Sequence, residues 1–238
     1  MIKVTRLNKR FGGQQVLDNI NLEIREGELL VILGESGSGK SVLLQHLIGL
    51  IKPDEGTVEI DGRDITKLPE KELLKVRRHI GYLFQDGALY DFMTVFENVA
   101  FPLREHTRAK PREIKAKVLE LLKTVGLEGA EGKFPSQLSG GMRKRAALAR
   151  SVILDSRVLF CDEPTSGLDP IKSRSISDLI KGIGRQLKCT TVVTSHDIQN
   201  SFRIADRLIL IREGRIVAEG VPAQLQASHD SYLQEFLT

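Results

Sequence analysis

One eight-residue run limits what this chain can fold into more than any other: Gly34-Glu35-Ser36-Gly37-Ser38-Gly39-Lys40-Ser41. It follows an apolar run, Glu28 to Leu33, and precedes a segment from Ser41 to Leu50 that carries Val42, Leu43, Leu47 and Leu50 at helical spacing. A buried strand that turns through glycines into a helix gathers backbone N–H groups and the positive end of that helix around one point. The pattern G-x-x-x-x-G-K-[ST] in this setting is a phosphate cradle. Gly34, Gly37 and Gly39 let the backbone come close, while Lys40 is expected to neutralise the β- and γ-phosphates and the Ser41 hydroxyl to hold Mg²⁺. Glu35, Ser36, Ser38 and Val42 complete the expected loop contacts.

Strands and helices alternate over most of the chain. Ile2 to Leu7 and Val16 to Ile24 read as strands, Pro53-Asp54-Glu55-Gly56 as a turn, and Thr57 to Ile60 as the strand that follows it. Arg112 to Val125 places Ile114, Val118, Leu121, Leu122 and Val125 at a helical period, and a longer helix is expected from Ser139 or Gly140 to Leu154. Strands return at Val158–Asp162, Thr190–Thr194 and Arg207–Ile211, interleaved with a helix around Lys172–Leu187. This alternation specifies an α/β fold with a largely parallel sheet covered on both faces. The expected layout is one domain over residues 1–238, with an α/β core at about 1–85 and 156–220, a helical subdomain inserted at 86–155, and a helical tail at 221–238. The tail spaces Tyr232, Leu233, Phe236 and Leu237 as one sticky face, expected to dock on its own domain.

Further polar residues sit where apolar runs end. Val158-Leu159-Phe160-Cys161 closes on Asp162-Glu163; Asp162 is expected to contact Mg²⁺, directly or through water, and Glu163 to polarise an attacking water. Taken alone, the two acids also fit a polar strand end beside Pro164. His196 follows Val192-Val193-Thr194-Ser195 and is read as a donor to the γ-phosphate; Gln85 follows Gly81-Tyr82-Leu83-Phe84 and is read as touching Mg²⁺ or water and reporting nucleotide state.

Bulk properties narrow the setting. A net charge of +4 is mildly basic, and its densest clusters, Lys75-Val76-Arg77-Arg78 and Arg143-Lys144-Arg145, read as solvated helix faces or partner contacts rather than a nucleic-acid stripe. No apolar run reaches the roughly 18–20 residues of a membrane span, and Met1 to Arg10 lack the apolar core of a secretory signal. A cytoplasmic chain is expected, with Cys161 and Cys189 as buried thiols.

With Leu138-Ser139-Gly140-Gly141-Met142 and Ser166-Gly167-Leu168-Asp169 added, the motifs stand in the order of an ATP-binding-cassette (ABC) ATPase, which the chain resembles from about Ile2 to Gly220. The resemblance implies a P-loop NTPase cassette: a RecA-like, mostly parallel core with an antiparallel β subdomain and an inserted helical subdomain. It implies two ATP molecules sandwiched in a head-to-tail dimer with a second copy of the chain. Ser139, Gly140 and Gly141 would then meet the γ-phosphate in trans, and Asp169 would lie in the loop crossing between the two sites. Phe11 occupies the place of the aromatic that stacks on adenine, its other reading being a core phenylalanine.

The stretch from Phe84 to Thr107 is more particular. With Gly87-Ala88-Leu89, Pro102 to Thr107, and Met142 to Arg150, it resembles the ATPase subunit of Mla-type (MCE-associated) phospholipid transport systems. Ser41-Val42 stands where Thr-Thr is common, and some members of that family share it. The resemblance implies a peripheral subunit on the cytoplasmic face of the inner membrane. Its partners would be a separate integral-membrane permease, an MCE-domain protein and a small STAS-domain protein, with phospholipid as the cargo. The permease would meet the segment after Gln85, where Phe92, Met93, Val95, Phe96 and Phe101 make a groove floor near Arg104 and Glu105, about half of them also serving as core. An ATPase for amino-acid import or lipoprotein release fits the general motifs equally, and a soluble ABC protein acting on ribosomes or DNA fits them less well.

Overall fold

The computed structural model describes residues 1–228 together with Asp230, Leu233, Gln234 and Phe236. Two compact units are present: Met1–Arg77 with the chain from Thr190 onward, and Arg78–Cys189. The first unit opens with β1 (Ile2–Phe11), β2 (Gln14–Ile24), β3 (Leu29–Leu33), α1 (Lys40–Leu47), β4 (Glu55–Ile60), β5 (Arg63–Asp64) and α2 (Glu70–Arg77). The second holds β6 (Ile80–Leu83), α3 (Val95–His106), α4 (Pro111–Thr124), a 3₁₀ turn at Pro135–Gln137, α5 (Gly140–Val152), β7 (Val158–Asp162) and α6 (Pro170–Leu187). The first unit resumes with β8 (Thr190–Ser195), α7 (Ile198–Ile204), β9 (Arg207–Arg212), β10 (Arg215–Gly220) and α8 (Pro222–Gln226).

In the first unit, β3 runs parallel to both β8 and β9, and all five of its residues are buried. A strand apolar on both faces belongs in the middle of a parallel sheet. β10 closes that run antiparallel to β9. A separate antiparallel sheet is ordered β2-β1-β4-β5. Along β1 the buried residues are Ile2, Val4 and then Leu7; the odd spacing is a bulge, with Arg6 at φ 48° and a register shift between Val4 and Leu7. The helix expected to reach Leu50 stops at Leu47, because Gly49 turns the chain at φ 67° and leaves Leu50 exposed.

The start of β3 is fixed by charge. Arg207, at the head of β9, grips Glu28 with Nη2 at 2.5 Å from Oε1 and Nε at 3.1 Å from Oε2, while donating also to the Glu23 carbonyl and to Glu219. The Arg207 and Glu28 side chains are both buried.

In the second unit, β6 and β7 pair in parallel, Ile80 opposite Val158 through Leu83 opposite Cys161. Both cysteines are buried thiols outside any disulfide, as expected. Gly81 permits close packing, since a Cβ there would lie 2.3 Å from the Ser151 carbonyl oxygen at the end of α5. α3 is a helix that the periodicity did not reveal, because Pro102 interrupts its interior. Thr94 starts it with a capping box, accepting from Glu97 N at 3.2 Å while Glu97 accepts from Thr94 N at 2.8 Å.

The reading of Arg143-Lys144-Arg145 as a solvated face or partner contact is corrected for two of the three. Lys144 is buried and donates to the Gln85 carbonyl, and Arg145 donates to the Val125 carbonyl and Ser175 Oγ. Segments packed against α5 present backbone carbonyls within reach of these long side chains. Arg77 is likewise turned inward, donating to the carbonyls of Ile48 and Gly49.

Of the expected tail face, Leu233 is buried and Phe236 half-buried; Tyr232 and Leu237 lie outside the described residues. Among the described residues no helix is long and apolar enough to cross a membrane. Glu28→Ala leaves the Arg207 guanidinium only Glu219 and the Glu23 carbonyl and should cost about 2 kcal/mol of stability, read by urea denaturation. A loss below about 1 kcal/mol, the range of an exposed pair, would contradict this account of the ion pair.

Candidate functional site

The expected site residues fall into two groups, one in each unit. In the first, β3 ends at Leu33 beside Ser195 of β8, so Gly34 and His196 leave the sheet together at the carboxyl ends of adjacent parallel strands. That edge is where α/β sheets place their ligands. Gly34 has no room for a side chain: a Cβ would lie 2.4 Å from the Ile211 carbonyl oxygen and 2.6 Å from Ser38 Oγ. Gly39, at φ 104°, leads directly into α1 and would bring a Cβ within 2.8 Å of the Val16 carbonyl oxygen. Neighbouring backbone thus leaves no room for a side chain at either glycine.

Lys40 is the first residue of α1 and is buried, its Nζ folded back onto the Gly34 and Glu35 carbonyls at 2.8 and 2.9 Å. The α1 N-terminus has no side-chain cap, which suits it to receive an anion. Ser38 Oγ is buried and without a hydrogen-bond partner in the described structure. A buried hydroxyl without a partner is costly unless a ligand supplies one, so the loop fits a phosphate.

Glu35, Ser36 and Gly37 form the exposed rim; Ser41 and Val42 are half-buried in the first turn. His196 is exposed immediately after β8. Phe11 ends β1 with its ring 46% exposed and Lys9 Nζ 5.2 Å from its centroid. It is exposed and not a core phenylalanine.

In the second unit, the β6–β7 register brings the residues after Leu83 and Cys161 to one edge. Asp162 ends β7 almost fully buried, accepting a long 3.4 Å hydrogen bond from Tyr82 Oη. Burial, and then the neighbouring Asp162 carboxylate, pushes the Tyr82 phenol well above its ordinary range and keeps it a donor. Glu163 follows at φ 44°, a left-handed conformation uncommon for a glutamate, and is also buried. Such strain persists only where surrounding structure enforces it, and it clusters at functional positions. Gln85 is exposed, with Nε2 3.3 Å from Ser166 Oγ.

The glycine-rich signature opens α5 in the same unit. Ser139 is the N-cap of α5, accepting from Met142 N at 3.3 Å, and Gly140 and Gly141 form the first turn. Asp169 caps α6 in the same way, accepting from Lys172 N at 2.9 Å, and the Lys172 side chain holds its carboxyl below the usual carboxylate range. Three residues escaped the sequence reading: Tyr82, Lys144 and Asn98. Tyr82 was read only as part of an apolar strand, yet its hydroxyl meets the strand-end acid. Asn98 is fully buried in α3 and pins the turn before it.

Comparisons with known proteins agree with this geometry. The family profile described as "ABC transporter" matches residues 17–166. The chain is 44% identical over 236 residues to "Probable ribonucleotide transport ATP-binding protein mkl" of Mycobacterium leprae, covering 99% of this chain and 68% of that protein. It is 42% identical over 237 residues to "Intermembrane phospholipid transport system ATP-binding protein MlaF" of Haemophilus influenzae, covering all of this chain and 90% of that protein. A solved dimeric ATP-binding cassette, MJ0796, in a post-hydrolysis state with ADP and Pi, superimposes with a TM-score of 0.86 at 36% identity, covering 93% of this chain and 99% of that one.

The unpartnered hydroxyl gives a direct test. Ser38→Ala should not destabilise the nucleotide-free chain and should weaken ATP binding about tenfold, roughly 1.4 kcal/mol. Equilibrium binding of a fluorescent ATP analogue measures it, and an unchanged affinity would show that Ser38 does not meet the nucleotide.

Proposed function

The chain belongs to the ABC transporter family, and from that premise we propose that it is the ATP-hydrolysing subunit of a transporter moving phospholipid through a separate membrane permease. The observation that carries the ATPase part is a phosphate loop with a buried unpartnered hydroxyl and a side-chain-free helix N-terminus, in a chain whose Glu163 is held strained at a strand end. The lipid part rests on the 42% identity that spans this whole chain and 90% of the phospholipid-transport relative, together with the Phe84–Thr107 segment. The name of the mycobacterial relative supports a second reading, ribonucleotide transport, but this chain spans only 68% of that protein. Turnover of the complex with its permease in phospholipid vesicles separates the two: stimulation by added ribonucleotide substrate, and not by lipid composition, would favour the second.

On this reading the loop amides, the α1 N-terminus and Lys40 bind the phosphates, and Phe11 stacks on adenine. Glu163 orients a water and takes its proton as the water oxygen bonds to the γ-phosphorus; the bond to the bridging oxygen breaks and ADP leaves with the electron pair. His196 donates to the γ-phosphoryl oxygens. The hydroxyl of Ser41, the carboxylate of Asp162 and the amide of Gln85 are hard oxygen donors of the kind Mg²⁺ takes, and the bound ion would neutralise phosphate charge. Ser139, Gly140 and Gly141 of a second copy cover the γ-phosphate, and Asp169 lies in the crossing loop. Closure of this dimer on ATP and its reopening after hydrolysis drive the permease, since ATP favours the closed state over the open one. The chain sits on the cytoplasmic face of the inner membrane against its integral-membrane permease, which works with an MCE-domain protein and, where one is present, a small STAS-domain protein.

Glu163→Gln should keep ATP binding and reduce turnover by about 10²–10⁴; wild-type turnover would remove Glu163 from the mechanism. Lys40→Ala should instead weaken nucleotide binding itself, and an unchanged ATP affinity in equilibrium dialysis would contradict the assignment of the phosphate loop.

A further inference from the structure

From Gln85 to Tyr90 the chain lies along one face of α5, held by residues three apart. Lys144 Nζ donates to the Gln85 carbonyl. Gly87 comes so near the helix that a Cβ on it would stand 3.2 Å from the Ala147 Cβ. The Arg150 guanidinium donates to the Gly87 and Ala88 carbonyls at 2.8 and 2.7 Å and lies 5.7 Å from the Tyr90 ring centroid. Positions 144, 147 and 150 make one stripe on the helix. Burial holds the Lys144 ammonium below its ordinary range, the Asp86 and Glu163 carboxylates opposing that effect. A forked guanidinium reaching two carbonyls is a geometry lysine does not reproduce.

Both ends of this contact lead elsewhere. α5 begins at Ser139, the signature residue that caps it. At the other end, Tyr90 exchanges backbone hydrogen bonds with the Asn98 side chain at 2.8 and 3.0 Å, and its ring meets Phe101 at 5.2 Å and Phe92 at 5.8 Å. Phe92 is 75% exposed. Phe92, Tyr90, Arg150, α5 and Ser139 are therefore one packed series within a single unit.

Resting on the ATPase reading above, we infer that Lys144 and Arg150 are positioning residues: they join the Gln85–Tyr90 segment to the signature helix as one mechanical body, so that a push on exposed Phe92 reaches Ser139 instead of being absorbed by a loop. They act through Gln85 and Ser139 and touch no nucleotide. A shared rigid element is the physical requirement for such coupling, and its strength is measurable.

The test uses the Glu163→Gln chain, which holds ATP without consuming it. Adding Lys144→Met and Arg150→Met should raise the dissociation constant of the ATP-driven dimer about tenfold in sedimentation velocity, while ATP affinity of the monomer stays within about twofold. Gly87→Cys with Ala147→Cys then supplies a replacement link: the two Cβ positions stand 3.2 Å apart, a few tenths of an ångström inside the roughly 3.5–4.5 Å a disulfide takes, a gap the segment can open once Lys144 and Arg150 no longer hold it. Oxidation of that pair by diamide, which takes up the two electrons and two protons, should restore tight dimerisation, and dithiothreitol should abolish it again. A role in folding alone would give no such redox reversal. Dimers as tight in the double variant as in its parent overturn the proposal, as does oxidised linkage that fails to restore them. Should the double variant not fold, the cysteine pair in the parent decides: oxidation leaves dimerisation unchanged if segment and helix are one body, and its loss on oxidation overturns the proposal. If the parent itself forms no dimer with ATP, the ATPase-dimer reading falls and takes this proposal with it.

Discussion

A polyphosphate carries more negative charge than a few lysines can balance in a small volume, so its binding site must be built largely from backbone. That requirement dictates the end of β3. Gly34 stands where a methyl group would collide with the Ile211 carbonyl oxygen, and Gly39 turns the chain into α1 with no side chain over the helix terminus. The parallel strands on either side, β8 and β9, hold this point still; the Arg207–Glu28 pair anchors the other end of β3. A loop that is rigid before ligand arrives spends little ordering entropy on binding.

The second unit shows a complementary economy. Two of its acids are specifically placed: Asp162 is buried at the end of β7, and Glu163 is turned by a left-handed backbone at the next position. Two of its helices begin at residues proposed for the site. Ser139 caps α5 and Asp169 caps α6, so the residue proposed to meet a second copy's nucleotide and the one proposed for the crossing loop each stand at the start of a rigid rod. Motion of a rod then becomes motion of its cap.

Much of this was legible in the sequence. The phosphate loop, the Val158–Asp162 strand and the Ser139 helix start are short-range patterns, with residue type, spacing and neighbours all pointing the same way. The exposure of Phe11 removes the core reading the sequence left open, because an aromatic at a strand end reads equally as core. Other features depend on tertiary contact and leave no local mark. α3 carries Pro102 in its interior, and α2 buries only Leu73, so neither shows a clean apolar stripe. Lys144 sits in a basic triplet that looks solvated, and only the approach of the Gln85 segment makes it a buried donor. The left-handed turn at Glu163 has no sequence signature at all.

The central claim is that this ATPase powers phospholipid movement through a permease carried on another chain. Its most direct test is affinity purification of the tagged chain from mildly solubilised membranes of its own host, with co-purifying proteins and lipids identified by mass. The account predicts a polytopic permease arriving with an MCE-domain protein and bound phospholipid. A different permease, accompanied by a solute-binding or lipoprotein-releasing partner, would contradict it.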